Sequence, residues 1–282
     1  MSSAAATSPL PAMLAVRGAR KTFNPETRNE VRALQGVDLA VDECSFVIVI
    51  GTNGSGKSTL LNAVAGTFLL DTGTITLDGT DITAWPEYRR AQMIGRVFQN
   101  PFSGTAPSMS IAENLVLAAR RGQPRGLGLA LTGTIRKELQ ERIRQLNMRL
   151  EDRLDNPIGS LSGGQRQALT LLMASWIKPK LLLLDEHTAA LDPRTADQVI
   201  QLSAEIVARN RLTTLMVTHS MQQAVGLGDR LVMMHRGEIL HDFRGTEKAR
   251  LRADDLLARF EDVRRSEQLD ESAADMLQRL YV

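Results

Sequence analysis

Gly51-Thr52-Asn53-Gly54-Ser55-Gly56-Lys57-Ser58-Thr59 follows the apolar run Phe46 to Ile50 and leads into a helical pattern over Thr59 to Ala65. Strand, glycine-rich loop, helix is the context in which a Gly-x4-Gly-Lys-Ser stretch forms a phosphate cradle. The glycines let the backbone curl so that successive N–H groups point inward, and the helix start near Lys57 adds the positive end of its dipole. On this reading Lys57 reaches the β- and γ-phosphates and the Ser58 hydroxyl ligates Mg2+. Further along, Leu161-Ser162-Gly163-Gly164-Gln165 is a second stretch built to meet a phosphate. One nucleotide in one fold rarely needs two such anion sites, so the pair points to two chains sharing nucleotides.

Leu181-Leu182-Leu183-Leu184-Asp185-Glu186 reads as a buried strand that delivers two carboxylates at its C-terminal end, where an open α/β sheet places its ligands. Asp185 is placed to hold Mg2+ through water, and Glu186 to accept a proton from, or orient, an attacking water. Phe46 to Ile50, Leu181 to Leu184 and Leu212 to Thr218 lack polar alternation, as strands buried on both faces of a parallel sheet do. Helical patterns between them, such as Ala168 to Ile177, give the strand and helix alternation of an α/β fold with helices over both faces.

The opening of the chain differs. Leu14 to Arg17, Leu34 to Val41 and Thr74 to Leu77 are short β-type segments parted by turn chemistry, which predicts a smaller antiparallel sheet. Arg230 to His235 and Glu238 to Asp242 flank Arg236-Gly237 and read as a hairpin. From Asn114 to about Leu154 the pattern is helical, broken by Gly122-Gln123-Pro124 and Gly126 to Gly133. The expected layout is a disordered leader over 1–12, one domain over 13–245 with a helical insertion at about 100–165, and a helical tail over 246–282. Leu256, Leu257, Phe260, Met276, Leu277 and Leu280 carry the helical spacing of that tail.

Lys and Arg number 34 against 32 Asp and Glu, a net charge of +2, which is too small to imply a nucleic-acid partner. The single cysteine, Cys44, forms no intrachain bridge and fits a reducing compartment. Met1 to Ala12 lacks a basic start and a long apolar centre, so it does not read as a signal peptide. No run approaches the length needed to span a bilayer, and the chain is expected to be soluble or peripheral. Basic residues recur through Arg120, Arg121, Arg125, Arg136, Lys137, Arg142, Arg144, Arg149 and Arg153; most are expected on a solvated helix face, proximity to anionic lipid headgroups being the alternative.

With the cradle, Gln99, Leu161 to Gln165, Asp185-Glu186, Leu191-Asp192 and His219 in this order, the stretch from Leu14 to Asp242 resembles the ATP-binding subunits of ABC transporters. The resemblance implies a P-loop NTPase of RecA-like α/β core with an antiparallel β-subdomain and an inserted α-helical subdomain. It implies a head-to-tail homodimer in which Ser162, Gly163, Gly164 and Gln165 of each copy complete the partner's ATP site, Asp192 coupling the two sites along the interface. Gln99 then touches Mg2+ and the attacking water, His219 contacts the γ-phosphate, and Phe23 stacks on adenine. His187, where many members carry proline, and Cys44, where glycine is common, depart from the pattern.

The implied partners are a second copy, separate transmembrane permease subunits and a solute-binding protein, with the chain on the cytoplasmic face of the membrane. Asn100 to Ser110 is the candidate receiver for a permease helix. The run Leu182 to Pro193, with Asp185 to Pro193 within it, looks most like subunits of amino-acid importers, tryptophan- or tyrosine-type systems among them. An exporter or mechanotransmission ATPase shares every motif, and a non-transport ATPase in DNA repair or translation is the reading from another class.

Overall fold

The computed structural model describes residues 12–123, 131–262 and 265. The leader reading over residues 1–11, the interruption at 124–130 and the tail positions Met276, Leu277 and Leu280 lie outside the described residues. In chain order the elements are β1 (Leu14–Phe23), β2 (Val31–Val41), β3 (Phe46–Gly51), α1 (Lys57–Ala65), β4 (Thr72–Leu77) and β5 (Thr80–Asp81). There follow α2 (Glu87–Arg90), β6 (Ile94–Val97), α3 (Ile111–Ala119), α4 (Gly133–Arg144), α5 (Gly163–Ser175), β7 (Leu181–Asp185) and α6 (Pro193–Asn210). The last elements are β8 (Thr214–Val217), α7 (Met221–Gly226), β9 (Arg230–His235), β10 (Glu238–Arg244) and α8 (Gly245–Arg250), and residues 253–262 are helical.

Two sheets result, an antiparallel one in the order β2-β1-β4-β5 and a larger one in the order β10-β9-β3-β8-β7-β6. Within the larger sheet β9, β3, β8, β7 and β6 run parallel, and β10 folds back antiparallel on β9. The hairpin turn is Arg236-Gly237, with φ of 45° and 78°, the left-handed pair that a two-residue turn between twisted strands requires.

The unbroken apolar strands serve two cores at once, because successive side chains leave opposite faces. Val47, Val49, Leu181, Leu183, Leu215 and Val217 pack toward α1 and the antiparallel sheet. Ile48, Ile50, Leu182, Leu184, Met216 and Leu231 pack toward α5, α6 and, through Leu256 and Phe260, the helix at 253–262. One face is therefore covered largely by a second sheet, where the alternation of strands and helices predicts helices on both. The antiparallel strands gave no cue to where they dock. A third apolar cluster joins α3, α4 and α5 through Leu115, Leu139, Ile143 and Leu169.

The basic run is less solvated than its composition predicts. Arg121 donates toward the carbonyls of Ala174 and Ile177, Arg142 donates to Trp176 O and lies over its indole ring at 4.1 Å, and Arg136 pairs with Asp155. Arg121, just after α3, and Arg142 of α4 thus reach the end of α5, while Arg136 ties α4 to the loop before α5.

Candidate active site

The carboxyl ends of β3, β6, β7 and β8 point the same way, so the loops that follow them converge. Gly51 ends β3, Asp185 ends β7 opposite Val217 of β8, and Gln99 and His219 follow two residues beyond the ends of β6 and β8. Glu186 N–H extends the ladder by donating to Val217 O at 3.0 Å.

In the cradle, Lys57 is 5% exposed and its Nζ donates to Gly51 O and Thr52 O, both at 2.9 Å, clamping the curl of the loop. Burial lowers the Lys57 pKa, while Glu186 and Asp185 act to raise it. Gly56 sits at φ 96°, and a Cβ there would lie 2.4 Å from Ala33 O, so the loop reaches α1 only through a glycine.

Asp185 is raised by burial, opposed by Arg96, Ser58 and Lys57. Arg96 Nη2 lies 3.5 Å from Asp185 Oδ2. Beside them, Glu186 Oε1 is 2.5 Å from His219 Nε2. Glu186 adopts φ 43°, a left-handed backbone that costs a non-glycine residue about 1–3 kcal/mol and persists only where its surroundings hold it.

A cavity of about 660 Å³ borders the cradle, lined by Gly51 to Ser55, Thr218, His219, His235, Arg236 and, from the helix at 253–262, Leu257, Phe260 and Glu261. That size suits a small-molecule ligand. The spacing of Leu257 and Phe260 marks a tail helix; their position beside the cradle depends on a long-range packing that local spacing does not carry.

Ser162 does not line this cavity. It caps α5: its hydroxyl accepts from Gln165 N–H at 3.3 Å and its own N–H donates to Gln165 Oε1, a reciprocal capping box. The Gly163-Gly164 backbone thus opens a helix N-terminus, the arrangement that favours an anion. Asp192 caps α6 by accepting from Thr195 N–H at 3.1 Å. Gln99 is exposed beyond β6. Phe23 is half-buried and meets Phe68 edge-on at 5.2 Å, with Lys21 Nζ 5.7 Å from its ring.

Three residues join these parts without having been singled out by motif. Arg166 and Gln167 belong to α5; the first lies over the Phe102 ring at 3.7 Å and the second donates to Phe98 O at 3.0 Å, so the helix behind Ser162 grips the segment around Gln99. Arg96 supports Asp185, and its cue was a lone cation in an otherwise apolar strand.

The ABC transporter family model matches residues 34–189, and the chain belongs to that family. It is an ATP-binding, ATP-hydrolysing cassette of α/β fold. It is 43% identical over 250 residues to a tyrosine transport ATP-binding protein of Clostridioides difficile (strain R20291), covering 88% of this chain and 99% of that protein. It is 32% identical to the aliphatic sulfonates import ATP-binding protein SsuB 1 of Nocardia farcinica (strain IFM 10152), covering 89% and 90% of the two chains. The dimeric post-hydrolysis state of the ATP-binding cassette MJ0796 bound to ADP and Pi superposes with a TM-score of 0.70 at 26% identity, covering 82% of this chain and 98% of that one.

Proposed function

We propose that the chain is the ATPase subunit of an importer for a small solute, of the amino-acid type, and acts on the cytoplasmic face of the membrane beneath separate permease subunits. ATP binds along Gly51 to Thr59 with Phe23 against the adenine. Ser162 to Gln165 of a second, head-to-tail copy close the site, and Asp192 runs along the interface between them. Glu186 takes the proton of the attacking water or orients it, with His219 and Gln99 holding the γ-phosphate side and Lys57 the phosphate charge. The observation that carries the dimer is that the Ser162 capping box opens a helix N-terminus at Gly163-Gly164, on an element other than the one that follows this chain's own cradle.

Mg2+ fits the donor set. Ser58 and Asp185 bring one hydroxyl and one carboxylate near enough for the hydroxyl to lower the carboxylate's pKa, and no group of three or more His, Cys, Asp and Glu is gathered for a metal among the described residues. Hard oxygen ligands in small number, completed by phosphate oxygens, suit Mg2+ rather than a caged metal. Ser58, Asp185 and Gln99 would hold it, and when bound it supplies charge neutralisation to the phosphates.

Residues 13–245 form the ATP-binding domain, with the helical subdomain at about 100–165 and the segment Asn100 to Ser110 receiving the permease. Import of an amino acid is supported by the near full-length match to the tyrosine transport subunit. No helix among the described residues is long and apolar enough to cross a membrane, which agrees with separate permease subunits. A solute-binding protein would deliver the substrate. The test is detergent extraction of the tagged full chain, identification of the copurifying membrane protein, and uptake of labelled tyrosine or tryptophan by proteoliposomes of that complex. Accumulation inside, driven by ATP on the subunit's side, is the expected result. Stoichiometric DNA or ribosomes with no membrane protein would overturn transport.

A further inference from the structure

Immediately after Glu186, His187 is 1% exposed, with Nε2 2.8 Å from Ser203 Oγ in α6. Ser203 is 2% exposed, and its hydroxyl donates to Val199 O at 2.7 Å, one turn back in the same helix. A hydroxyl has one proton, so with that proton committed the Ser203 oxygen is an acceptor and His187 must donate from Nε2. This fixes the neutral Nε2–H tautomer and leaves Nδ1, which is buried with no hydrogen-bond partner. A buried polar atom left unpaired costs about 1–3 kcal/mol. An imidazole is therefore an expensive way to fill this space if packing were its only purpose.

Its surroundings say what it connects. The Glu186 backbone is held in the left-handed region at φ 43° and is followed by two short turns, Ala189 N–H to Glu186 O at 2.9 Å and Leu191 N–H to Thr188 O at 3.1 Å, which lead to the Asp192 cap of α6. The first turn of α6 lies against α5: a Cβ built on Gly164 would stand 2.1 Å from Thr195 Cγ2, and one on Gly163 3.0 Å from Leu191 Cδ2. From the glycines of the Ser162 cap a contact thus passes to Thr195, along α6 to Ser203, and through the His187 hydrogen bond to the peptide that carries Glu186.

We propose that His187 is a positioning residue for ATP hydrolysis: its Nε2–H hydrogen bond to Ser203 locks the strained Glu186 peptide to α6, so that the orientation of the Glu186 carboxylate follows the position of the helix that rests on Gly163-Gly164. The proposal builds on the assignment of Glu186 to the attacking water. It adds a mechanical link within one chain between the surface offered to the partner's nucleotide and the carboxylate that serves its own.

The test uses the full chain, with the steady-state ATPase rate and KM for ATP measured on His187→Leu, Ser203→Ala, the double variant and His187→Gln. Glutamine keeps an N–H donor near the Nε2 position, and leucine fills the space without one. A misplacement of about 1 Å costs up to about 100-fold in rate. Expected are a drop in kcat of about tenfold or more in His187→Leu and in Ser203→Ala with KM for ATP within twofold, no further loss in the double variant, and a rate within about threefold of the parent in His187→Gln. A residue that served packing alone would lower the melting temperature and leave kcat of the folded protein unchanged; that result, additive losses in the double variant, or a glutamine variant as slow as the leucine one each overturns the proposal. Glu186→Gln is run beside them: if it still hydrolyses ATP, the assignment of Glu186 fails, whereas a dead Glu186→Gln with fully active His187→Leu and Ser203→Ala sinks the positioning role alone.

Discussion

Glu186 Oε1 and His219 Nε2 are 2.5 Å apart, the carboxylate 9% exposed and the imidazole 47% exposed. The contact links the ends of β7 and β8, which lie side by side in the sheet, so it brings together the two groups assigned to the water and the γ-phosphate. Replacing Glu186 by glutamine keeps the size and a hydrogen-bonding oxygen but removes the base. Hydrolysis is expected to fall by about 100-fold or more while ATP still binds. Size-exclusion chromatography with light scattering in MgATP should then show a dimer for Glu186→Gln at concentrations where the parent protein cycles back to monomer. A Glu186→Gln protein that binds ATP and stays monomeric at high concentration would contradict the shared-site arrangement.

Lys57 has a structural task as well as an electrostatic one, since its ammonium clamps Gly51 O and Thr52 O. Lys57→Ala removes both the clamp and the charge that meets the phosphates. Calorimetric titration with MgATP should show affinity weakened by at least about tenfold, a loss of 1.4 kcal/mol or more. Circular dichroism of the same variant should be unchanged, because α1 keeps its burial through Leu60, Leu61, Ala63 and Val64.

What local sequence revealed and what it withheld divide along a physical line. The strands β3, β7 and β8 were legible because burial on both faces leaves them without polar alternation, and the loops at their ends because phosphate contact demands glycine, lysine and hydroxyl at fixed spacing. Ser162 as a helix cap was legible for the same reason, a short-range hydrogen bond with its own signature. The bond from His187 to Ser203, the Arg96 support of Asp185 and the approach of Phe260 to the cradle were not. Each joins segments far apart in the chain, and a lone polar residue in an apolar run signals a partner without saying which.

Arg230 is 5% exposed and makes a two-pronged pair with Asp242, Nε to Oδ1 at 2.6 Å and Nη2 to Oδ2 at 2.7 Å, while its Nη1 reaches Ala40 O on the antiparallel sheet. Burial acts to raise the Asp242 pKa, but hydrogen bonds from Arg230 and Arg244 outweigh it and hold the carboxyl below its ordinary 3.8. A depressed carboxylate adds stability that is present above its unfolded pKa and is lost as pH falls through its folded one. Asp242→Asn should cost about 1–2 kcal/mol at pH 7, less than a fully buried pair because Asp242 is 30% exposed. Denaturant unfolding of parent and variant should converge as pH is lowered from 7 toward 3; a gap that stays constant would show that the pair is not the origin of the difference.

Cys44 sits at φ 60° in the turn before β3, with its N–H donating to Thr213 Oγ1 at 3.0 Å. A side chain in the left-handed region costs about 1–2 kcal/mol, and glycine escapes most of that cost while giving up some entropy in the unfolded chain. Cys44→Gly should therefore gain about 1 kcal/mol and raise the melting temperature by about 2–4 °C. Cys44→Ala, which keeps the Cβ and the same backbone N–H, should gain nothing. Equal melting temperatures for the two variants would show that the turn stores no strain.

Gly164 and Thr195 bring α5 and α6 together with no room for a side chain on the glycine, since an added Cβ would lie 2.1 Å from Thr195 Cγ2. Nothing in the backbone demands glycine here beyond that space, because Gly164 is not among the positive-φ residues. Gly164→Ala must therefore turn Thr195 off its rotamer or pry the helices apart, at a cost of about 1–3 kcal/mol. Separation of the helices would carry the Ser162 cap away from α6, so ATPase rate and MgATP-dependent dimerisation should both fall. Removing the opposing methyl tests the cause: Gly164→Ala with Thr195→Ala should recover stability and, with it, hydrolysis and dimerisation, since Gly164 is buried and its added Cβ would meet Thr195. Recovery of stability without recovery of hydrolysis would mean that the Gly164 methyl obstructs the partner's nucleotide directly.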